Sequence, residues 1–272
     1  MAILTISRQM GSEGLQIGKT VAEQIGYDFF DKEKILDQLK QDGPLWEETG
    51  RELDERNPSL WEKYEWQYRG LIALEQSHIL DCALRDRVVI IGRGGNFLLE
   101  GIPYALRTLV VAPMEVRLKR VTEEKTCADF ICIDPKLAHS ILEKADRESD
   151  ELMHSEFGKR WDDPSGYDVI FNLETLSVEE VAATLKAMLA RRDAFKNTQA
   201  ESELKKRAVA AKINAAILTN PAVSIPTLEV MNVDEGILLR GLVHNAKEHK
   251  LIEDQAKKLA GNVPVKCELH YR

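Results

Sequence analysis

A glycine-rich segment directly follows a short apolar run at the start of the chain. The run 2–6 (AILTI) predicts a buried strand, and the segment 7–14 (SRQMGSEG) precedes a helical apolar pattern that begins at Leu15. A strand, a glycine-rich loop and a helix in this order bind phosphate, because loop N–H groups point inward and the helix N-terminus is partially positive. A glycine-rich turn without a ligand fits the same residues, so both interpretations of this segment stay open.

The segment departs from the Walker A motif, GxxxxGK[ST], whose lysine binds phosphate. Residues 18–20 (GKT) match its last three positions, but the first glycine would then be Glu13, and the lysine would lie well inside the helix. We therefore place Gly11 and Gly14 in the loop, where Gly14 takes the position of the lysine. Such a site lacks its usual point charge, and Arg8 would compensate, since a guanidinium pairs well with phosphate.

Further arginines follow two other predicted strands. The run 87–92 (RVVIIG) is the strongest buried-strand pattern in the chain, and Arg93 comes directly after it. Arg117 and Arg120 follow the predicted strand 106–112 (LRTLVVA) and are three positions apart, which puts them on one face of a helix. They would supply positive charge to a ligand site, or they would belong to a solvated helix surface.

These segments belong to a pattern in which strands and helices alternate. The helix behind the glycine-rich segment ends near Gly26, and residues 32–85 are mostly helical by pattern. The other predicted elements are strands over 27–30, 87–92, 106–112 and 167–172 and helices over 114–125, 135–155 and 177–195. The alternation favours a parallel sheet covered by helices on both faces. Ligands bind beyond the carboxyl ends of such strands, so the loops after Ile6, Gly92 and Val111 should carry a site.

A second, smaller pattern occupies the end of the chain. Residues 193–207 are polar and predict a solvated helical linker between a domain over 1–192 and a domain over 208–272. The smaller domain has the order α-β-β-α-β, with a helix over 208–219, strands over 225–231 and 237–243, a helix over 245–260 and a strand over 263–271. This length suffices for an independent core.

Composition and charge exclude several classes of protein. A net charge of −8 and a pI of about 5.4 argue against a duplex nucleic-acid binder, which needs a basic field. The cysteines form no CxxC pair, and we expect reduced thiols at Cys82, Cys127, Cys132 and Cys267. Because no signal-peptide pattern and no membrane-length apolar stretch occurs, we expect a cytoplasmic protein without an integral membrane segment.

The order of these motifs resembles the cytidylate kinase-like family, whose members are related to the nucleoside monophosphate kinases. The resemblance rests on TISRQMGSEGLQIGKTVAEQIGYDFFDKE near the N-terminus, VVIIGRGGNFLL at 88–99, LVVAPMEVRLKRV at 109–121, ADRESD at 145–150 and WDDPSGYDVIFN at 161–172. It covers roughly residues 1–190. It implies an α/β fold with a P-loop-type parallel sheet, ATP and Mg²⁺ as cofactors, and CMP or a related nucleotide as the phosphate acceptor.

The resemblance also assigns roles to individual residues. Donor phosphates would contact Ser7, Arg8, Gly11, Ser12 and Gly14. Asp31 and Arg93 would lie near the acceptor, although Asp31 is equally suited to cap the helix behind it. Lid cations that stabilise the migrating phosphoryl group would be Arg117, Arg120 and Arg147. Asp146 and Asp150 would organise these arginines or form ion pairs along the helix surface.

Two departures from the family pattern keep a second function open. The loop lacks the Walker lysine, as the whole group tends to, and Ser149 stands where the family often has an arginine. A lid with one fewer cation stabilises transferred charge less well. A weakly active or inactive nucleotide-binding sensor is therefore the alternative to a phosphotransferase, and a structural α/β protein that has lost its ligand is a third interpretation.

Residues 208–272 resemble a BON domain. The resemblance rests on the Asp-Glu-Gly turn at 234–236, on the apolar strand that contains Gly241, and on the helix that ends at Gly261. It implies a regulatory or interaction module with a protein or ligand partner. No catalytic constellation occurs in this segment.

Overall fold

The structure is a computed structural model, and it describes residues 1–55, 65–123 and 134–271. It divides the chain into two compact units, each built from two separate stretches of sequence. The first unit comprises Met1–Asp31 and Asp86–Lys196, and the second comprises Lys32–Arg85 and Asn197–Arg272. Cys127, Cys132 and the last two residues of the predicted helix 114–125 lie outside the described residues.

The described helices and strands follow in chain order. They are β1 (Ile3–Arg8), α1 (Gly14–Ile25), β2 (Asp28–Phe30), α2 (Lys32–Asp42), α3 (Pro44–Glu55), α4 (Trp66–Ala83), β3 (Val88–Ile91), α5 (Gly95–Leu98), β4 (Ala105–Val111), α6 (Met114–Glu123), α7 (Pro135–Phe157), β5 (Val169–Asn172), α8 (Val178–Arg192), α9 (Thr198–Leu218), β6 (Glu229–Val233), β7 (Gly236–Val243), α10 (Ala246–Ala260) and β8 (Val265–Tyr271).

The first unit contains a parallel sheet with the strand order β2-β3-β1-β4-β5. One face packs against α1 and α8, in a core that includes Leu4, Ile6, Ile17, Val21, Leu106, Val110, Val181 and Leu185. The other face carries α5 and a cluster of Leu109, Trp161 and Tyr167. The predicted P-loop-type sheet with helices on both faces is confirmed.

Strand β1 extends two residues beyond the predicted run, because its neighbour β4 continues to pair with it. Ser7 lies opposite Leu109 and Arg8 opposite Val110 in the parallel register. The apolar pattern ends at Ile6, but strand pairing depends on backbone groups and tolerates polar side chains near the edge. The connection between β1 and α1 therefore contains only residues 9–13.

The second unit joins helices from the middle of the chain to the C-terminal elements. Helix α4 packs against α9, which also packs against α10. Trp46 of α3 is buried, and its ring lies against Gly70 of α4, where no side chain would fit. The strands form the sheet β6-β7-β8, antiparallel in its first pair and parallel in its second. The order α9-β6-β7-α10-β8 is the predicted α-β-β-α-β.

Two details of this unit differ from the predictions. Most of the predicted linker 193–207 lies in α9, and Ala200, Leu204 and Ala208 of that helix are buried. These residues recur every four positions, so the segment is helical but has a packed face, not a solvated one. Strand β6 begins at Glu229 rather than at residue 225, after a turn in which the Leu228 N–H donates to the Ile225 carbonyl. Pro226 has no N–H to give to a strand ladder.

Two of the cysteines lie in described segments, and neither Cys82 nor Cys267 takes part in a disulfide. Among the described helices, none combines the length and the apolar character needed to traverse a bilayer.

Candidate functional site

The carboxyl ends of three neighbouring strands gather predicted site residues at one edge of the first unit's sheet. β1 ends at Arg8, Asp31 follows β2, and Arg93 lies two residues beyond β3. The three strands run parallel in the order β2-β3-β1, so their carboxyl ends share this edge. The fold thus brings together three charged residues that are far apart in sequence.

Arg8 lies across two glycines, which leave room for its side chain. A Cβ added at Gly14 would lie 2.5 Å from the Arg8 Cβ, and a Cβ added at Gly92 would lie 2.5 Å from Arg8 Nη1. Gly92 also has a φ of +68°, in the left-handed region that favours glycine. The two glycines, one at the start of α1 and one after β3, therefore determine where the Arg8 guanidinium lies.

Burial and the charges of Arg93 and Asp31 shape the electrostatic environment of Arg8 at this edge. Loss of hydration around its guanidinium lowers the pKa of Arg8, although the residue as a whole keeps contact with solvent. The charge of Arg93 lowers this pKa further, and the charge of Asp31 opposes the shift. Two guanidiniums in one partly desolvated place repel each other, and an anion between them would relieve that repulsion.

Arg93 has an unusual backbone conformation. Its φ is +57°, and the glycines on either side, Gly92 and Gly94, have φ of +68° and +73°. A residue with a side chain is uncommon in this region, and such strain persists where surrounding structure imposes it. The turn is held by hydrogen bonds from Gly95 N–H to the Gly92 carbonyl (3.2 Å) and from Phe97 N–H to the Gly94 carbonyl (2.9 Å).

The loop between β1 and α1 is closed by its own hydrogen bonds. Ser12 is fully buried, and its hydroxyl donates to the Gln9 carbonyl at 2.8 Å. The Gln9 side chain in turn accepts from the Ala112 N–H at 3.0 Å, which ties the loop to the end of β4. The Ser12 hydroxyl has an internal partner, so its contact with a phosphate stays a prediction, as does that of Gly11.

Ser7 points to the opposite face of the sheet from Arg8, as alternate residues of a strand do. Its hydroxyl donates to Asn96 Oδ1 at 3.2 Å, and Asn96 is 1% exposed. The Nδ2 of Asn96 is buried without a hydrogen-bond partner. The fold thus places Ser7 beside Asn96 on the α5 face and Arg8 beside Gly14 on the α1 face.

Arg117 lies beneath the loop. It is 3% exposed, and its two terminal nitrogens donate to Asp146 of α7, Nη1 to Oδ1 at 3.0 Å and Nη2 to Oδ2 at 2.8 Å. Nη1 also lies 3.4 Å from the Met10 carbonyl, and a Cβ added at Gly11 would lie 3.2 Å from the Arg117 Cβ. Asp146 was predicted either to organise the arginines or to form an ion pair along its own helix. It binds Arg117 of the neighbouring helix α6 and not a residue of α7.

Arg120 reaches the other end of the same loop. Its Nη2 pairs with Glu13 Oε2 at 2.9 Å and donates to the Leu173 carbonyl at 2.9 Å. Arg117 and Arg120 thus both contact this loop, whereas their spacing predicted only that they share one face of a helix. Arg147 is exposed on α7, next in sequence to Asp146.

Three residues of this region had no predicted role. Glu13 appeared only as a mismatch to Walker A, and nothing in the sequence distinguishes Gln9 from other polar loop residues. Asn96 ends the glycine-rich run after β3. A polar residue at a strand end could have indicated a role for it in the site. Gln9 and Glu13 lie in the loop after β1, and Asn96 lies in α5 just after β3, so all three are near the strand ends where parallel sheets bind ligands.

The residues at this edge fit a nucleoside triphosphate better than a dedicated metal cage. No group of three or more His, Cys, Asp or Glu is arranged for a metal within residues 1–55, 65–123 and 134–271. Leu15 occupies the position at which Walker A has its Mg²⁺-binding hydroxyl. Mg²⁺ commonly relies on substrate phosphates, waters and one or two carboxylates. Asp31 is the predicted site carboxylate at this edge, so Mg²⁺ would arrive with the phosphates.

Comparison with known proteins agrees with this architecture. Residues 3–175 match the model of the cytidylate kinase-like family, and residues 205–272 match the BON domain. A search of the curated proteins found no match.

Solved structures add a likeness in fold. An uncharacterised protein from Eubacterium ventriosum is 19% identical at a TM-score of 0.52, with 70% of this chain and 99% of that chain covered. A shikimate kinase from Acinetobacter baumannii is 14% identical (TM-score 0.39, 70% and 94% covered), and a gluconokinase from Sinorhizobium meliloti is 15% identical (TM-score 0.42, 70% and 92% covered). At 19% identity the likeness to the Eubacterium ventriosum protein concerns the fold alone. Since the family model spans more than half of its length, the chain belongs to the cytidylate kinase-like family and carries a BON domain at its C-terminal end.

Proposed function

We propose that this protein is a nucleotide-dependent phosphotransferase that carries a phosphoryl group from ATP to CMP or a related acceptor. The observation that carries the proposal is the convergence of Arg8, Arg93 and Asp31 beyond the carboxyl ends of β1, β3 and β2. Phosphoryl transfer depends mainly on positioning and charge neutralisation, which these groups supply.

In this proposal the loop and the N-terminus of α1 hold the donor phosphates, and Arg8 replaces the missing lysine. The base of its side chain lies against Gly14, at the start of α1, and its guanidinium lies against Gly92, in the loop after β3. The side chain therefore extends from the proposed donor side toward the proposed acceptor side. Arg93 and Asp31 would orient the acceptor, and Mg²⁺ bound with ATP would neutralise charge on the transferred phosphate.

A second candidate is a nucleotide sensor with little or no turnover. It is favoured by the ion pairs of two arginines of α6, since Arg117 binds Asp146 and Arg120 binds Glu13. Cations that are neutralised in this way contribute less to a transition state than unpaired cations would. Ser149 is uncharged, so it adds no cation to this region. Its hydroxyl donates to the Ala145 carbonyl within α7.

For the C-terminal module we propose a regulatory or interaction role. Its BON match covers residues 205–272, and no metal-binding cluster occurs among its described residues. The proposed domain boundary between residues 193 and 207 stays a prediction.

The test combines turnover with binding on the full chain. The purified protein is mixed with ATP, Mg²⁺ and a panel of nucleoside monophosphates, and diphosphate formation and calorimetric binding are recorded together. We expect turnover with a cytidine acceptor, and a loss of about a hundredfold in Arg93→Ala. Arg191→Ala, an exposed arginine at the end of α8, is the matched control and should behave as wild type.

The outcomes separate the candidates. Binding of ATP without diphosphate formation supports the sensor, and turnover that survives both Arg8→Ala and Arg93→Ala contradicts the site. If neither binding nor turnover occurs with any acceptor, both candidates are wrong.

A further inference from the structure

Glu13 holds a strained position at the start of α1. Its φ is 64° and its ψ is 12°, so a residue with a long side chain adopts a left-handed conformation. A residue with a side chain is uncommon in this conformation, and such strain is typical of functional positions. No side-chain hydrogen bond from Glu13 caps α1, so its carboxylate is directed elsewhere.

The carboxylate binds a cation of the loop region. Glu13 Oε2 lies 2.9 Å from Arg120 Nη2, and the same nitrogen donates to the Leu173 carbonyl at 2.9 Å. The other terminal nitrogen of Arg120, Nη1, is buried and has no hydrogen-bond partner. The Glu13 carboxylate and the Leu173 carbonyl therefore share Nη2 of the Arg120 guanidinium, while Nη1 remains without a partner.

A carboxylate at this position has the chemistry of the proposed ligand. Carboxylates and phosphates bind guanidinium in the same planar, charge-assisted manner. Residues 9–13 and the N-terminus of α1 form the proposed donor-phosphate site, so Glu13 places negative charge inside it. A phosphate that enters there meets a like charge and an arginine that is already paired.

The ion pairs of Arg117 and Arg120 differ in how readily a ligand could displace them. Arg117 and Asp146 are joined by two hydrogen bonds, and the Arg117 side chain is 4% exposed. The side chains of Arg120 and Glu13 are 21% and 32% exposed, and one contact joins them. A partly exposed ion pair is held weakly. A phosphate could therefore displace Glu13 from Arg120 more easily than it could displace Asp146 from Arg117.

We propose that Glu13 is an internal competitor for the anion at this loop and thereby determines how tightly the site holds a polyphosphate. The inference rests on the proposed function, since it concerns the donor side of the same site. Binding of a polyphosphate replaces Glu13 as the partner of Arg120.

Glu13→Gln tests the proposal, because it removes the charge and keeps both the side-chain length and the backbone strain. The probes are inorganic pyrophosphate and ATP with Mg²⁺, titrated calorimetrically into the full-length protein. We expect Glu13→Gln to bind both probes about two- to fivefold more tightly than wild type, in the range of a partly exposed ion pair. Glu23→Gln, an exposed residue of α1 with the same charge change, should bind as wild type.

A second variant assigns the gain to Arg120. In the double variant Glu13→Gln with Arg120→Gln, the tighter binding should disappear, because no guanidinium is released. Urea unfolding of each variant measures any change in stability. If Glu13→Gln lowers stability and leaves both affinities unchanged, Glu13 is a structural partner of Arg120 and the proposal is wrong.

The results also separate this inference from the proposed function. If wild type binds ATP and Glu13→Gln binds it no better, the competitor is ruled out and the nucleotide site stands. If only Glu13→Gln binds, the competitor is supported and wild type does not act on ATP. If neither protein binds either probe, both ideas are wrong.

Discussion

Arg117 of α6 and Asp146 of α7 form a doubly hydrogen-bonded ion pair under the loop that joins β1 to α1. The two contacts measure 3.0 Å and 2.8 Å, and Arg117 is 3% exposed. Arg117 Nη1 also reaches the Met10 carbonyl of that loop at 3.4 Å. One arginine thus links a helix predicted as part of a lid to the backbone predicted to bind phosphate.

Loss of Asp146 should therefore destabilise the first unit. Asp146→Asn leaves the Arg117 guanidinium buried beside a neutral partner, and we expect a loss of about 3 kcal/mol in the free energy of unfolding. Urea denaturation measures it. Glu151→Gln, an exposed position on the same helix, should change stability by less than about 0.5 kcal/mol. Equal unfolding midpoints for the two variants would show that the pair contributes little.

The position of Arg8 should depend on Gly92. Gly92→Ala would place a Cβ 2.5 Å from Arg8 Nη1 and displace the guanidinium, so we expect ATP binding to weaken by about tenfold. Gly26→Ala is the control for backbone strain, since Gly26 has a φ of +67° and nothing within 4 Å of an added Cβ. Both variants should lose about 1–2 kcal/mol of stability, but only Gly92→Ala should lose affinity in calorimetry. Similar affinities in both would contradict this role of Gly92.

Asp168 should make the stability of the first unit depend on pH. Its Oδ1 accepts from Arg107 at 3.2 Å and lies 3.4 Å from Arg192 Nη2. Burial raises the pKa of Asp168, but hydrogen bonds from Arg107 and the charges of Arg107 and Arg192 outweigh this, so the pKa lies below its ordinary value. A carboxylate with a depressed pKa stabilises the fold above its unfolded-state pKa and loses this contribution as the pH falls through the folded-state value.

Asp168→Asn should accordingly be less stable than wild type at neutral pH. The difference between the two should shrink as the pH falls from about 4, where the carboxyl of the unfolded chain becomes protonated, through the lower pKa of Asp168 in the folded protein. Thermal unfolding at a series of pH values measures this, with the exposed Glu174→Gln as a control that should follow wild type throughout. A difference that stays constant from neutral pH to pH 2–3 would contradict the linkage.

Helix α4 should require the C-terminal segment for its stability. It packs against α9 within the second unit, and it buries residues that include Leu71, Leu74 and Ile79. A fragment that ends at residue 196 lacks α9, so we expect hydrogen exchange in α4 to become much faster than in the full chain. The amides of β1 and β3 in the same fragment are the internal control and should stay protected. Protection of α4 equal to that in the full chain would contradict this dependence.

Much of the fold followed from local patterns. The run before Ser7 and the run before Gly92 predicted two central strands, because buried parallel strands are continuous apolar segments. The alternation of elements predicted the parallel sheet, and the C-terminal order α-β-β-α-β was also confirmed. Boundaries were less accurate where polar residues enter a packed element. Ser7 and Arg8 belong to β1, and α9 begins at Thr198 inside a predicted linker.

The sequence by itself determined the class of fold, the resemblance to the family and a set of candidate arginines that includes Arg8, Arg117 and Arg120. Only the tertiary structure decided the partner of each arginine: Arg8 lies between Gly14 and Gly92, Arg117 binds Asp146, and Arg120 binds Glu13. It also decided that helices 32–85 share a unit with the C-terminal strands. The physical reason is that apolar periodicity is set by residues within one turn or one pleat, whereas ion pairs and packed faces join residues far apart in the chain.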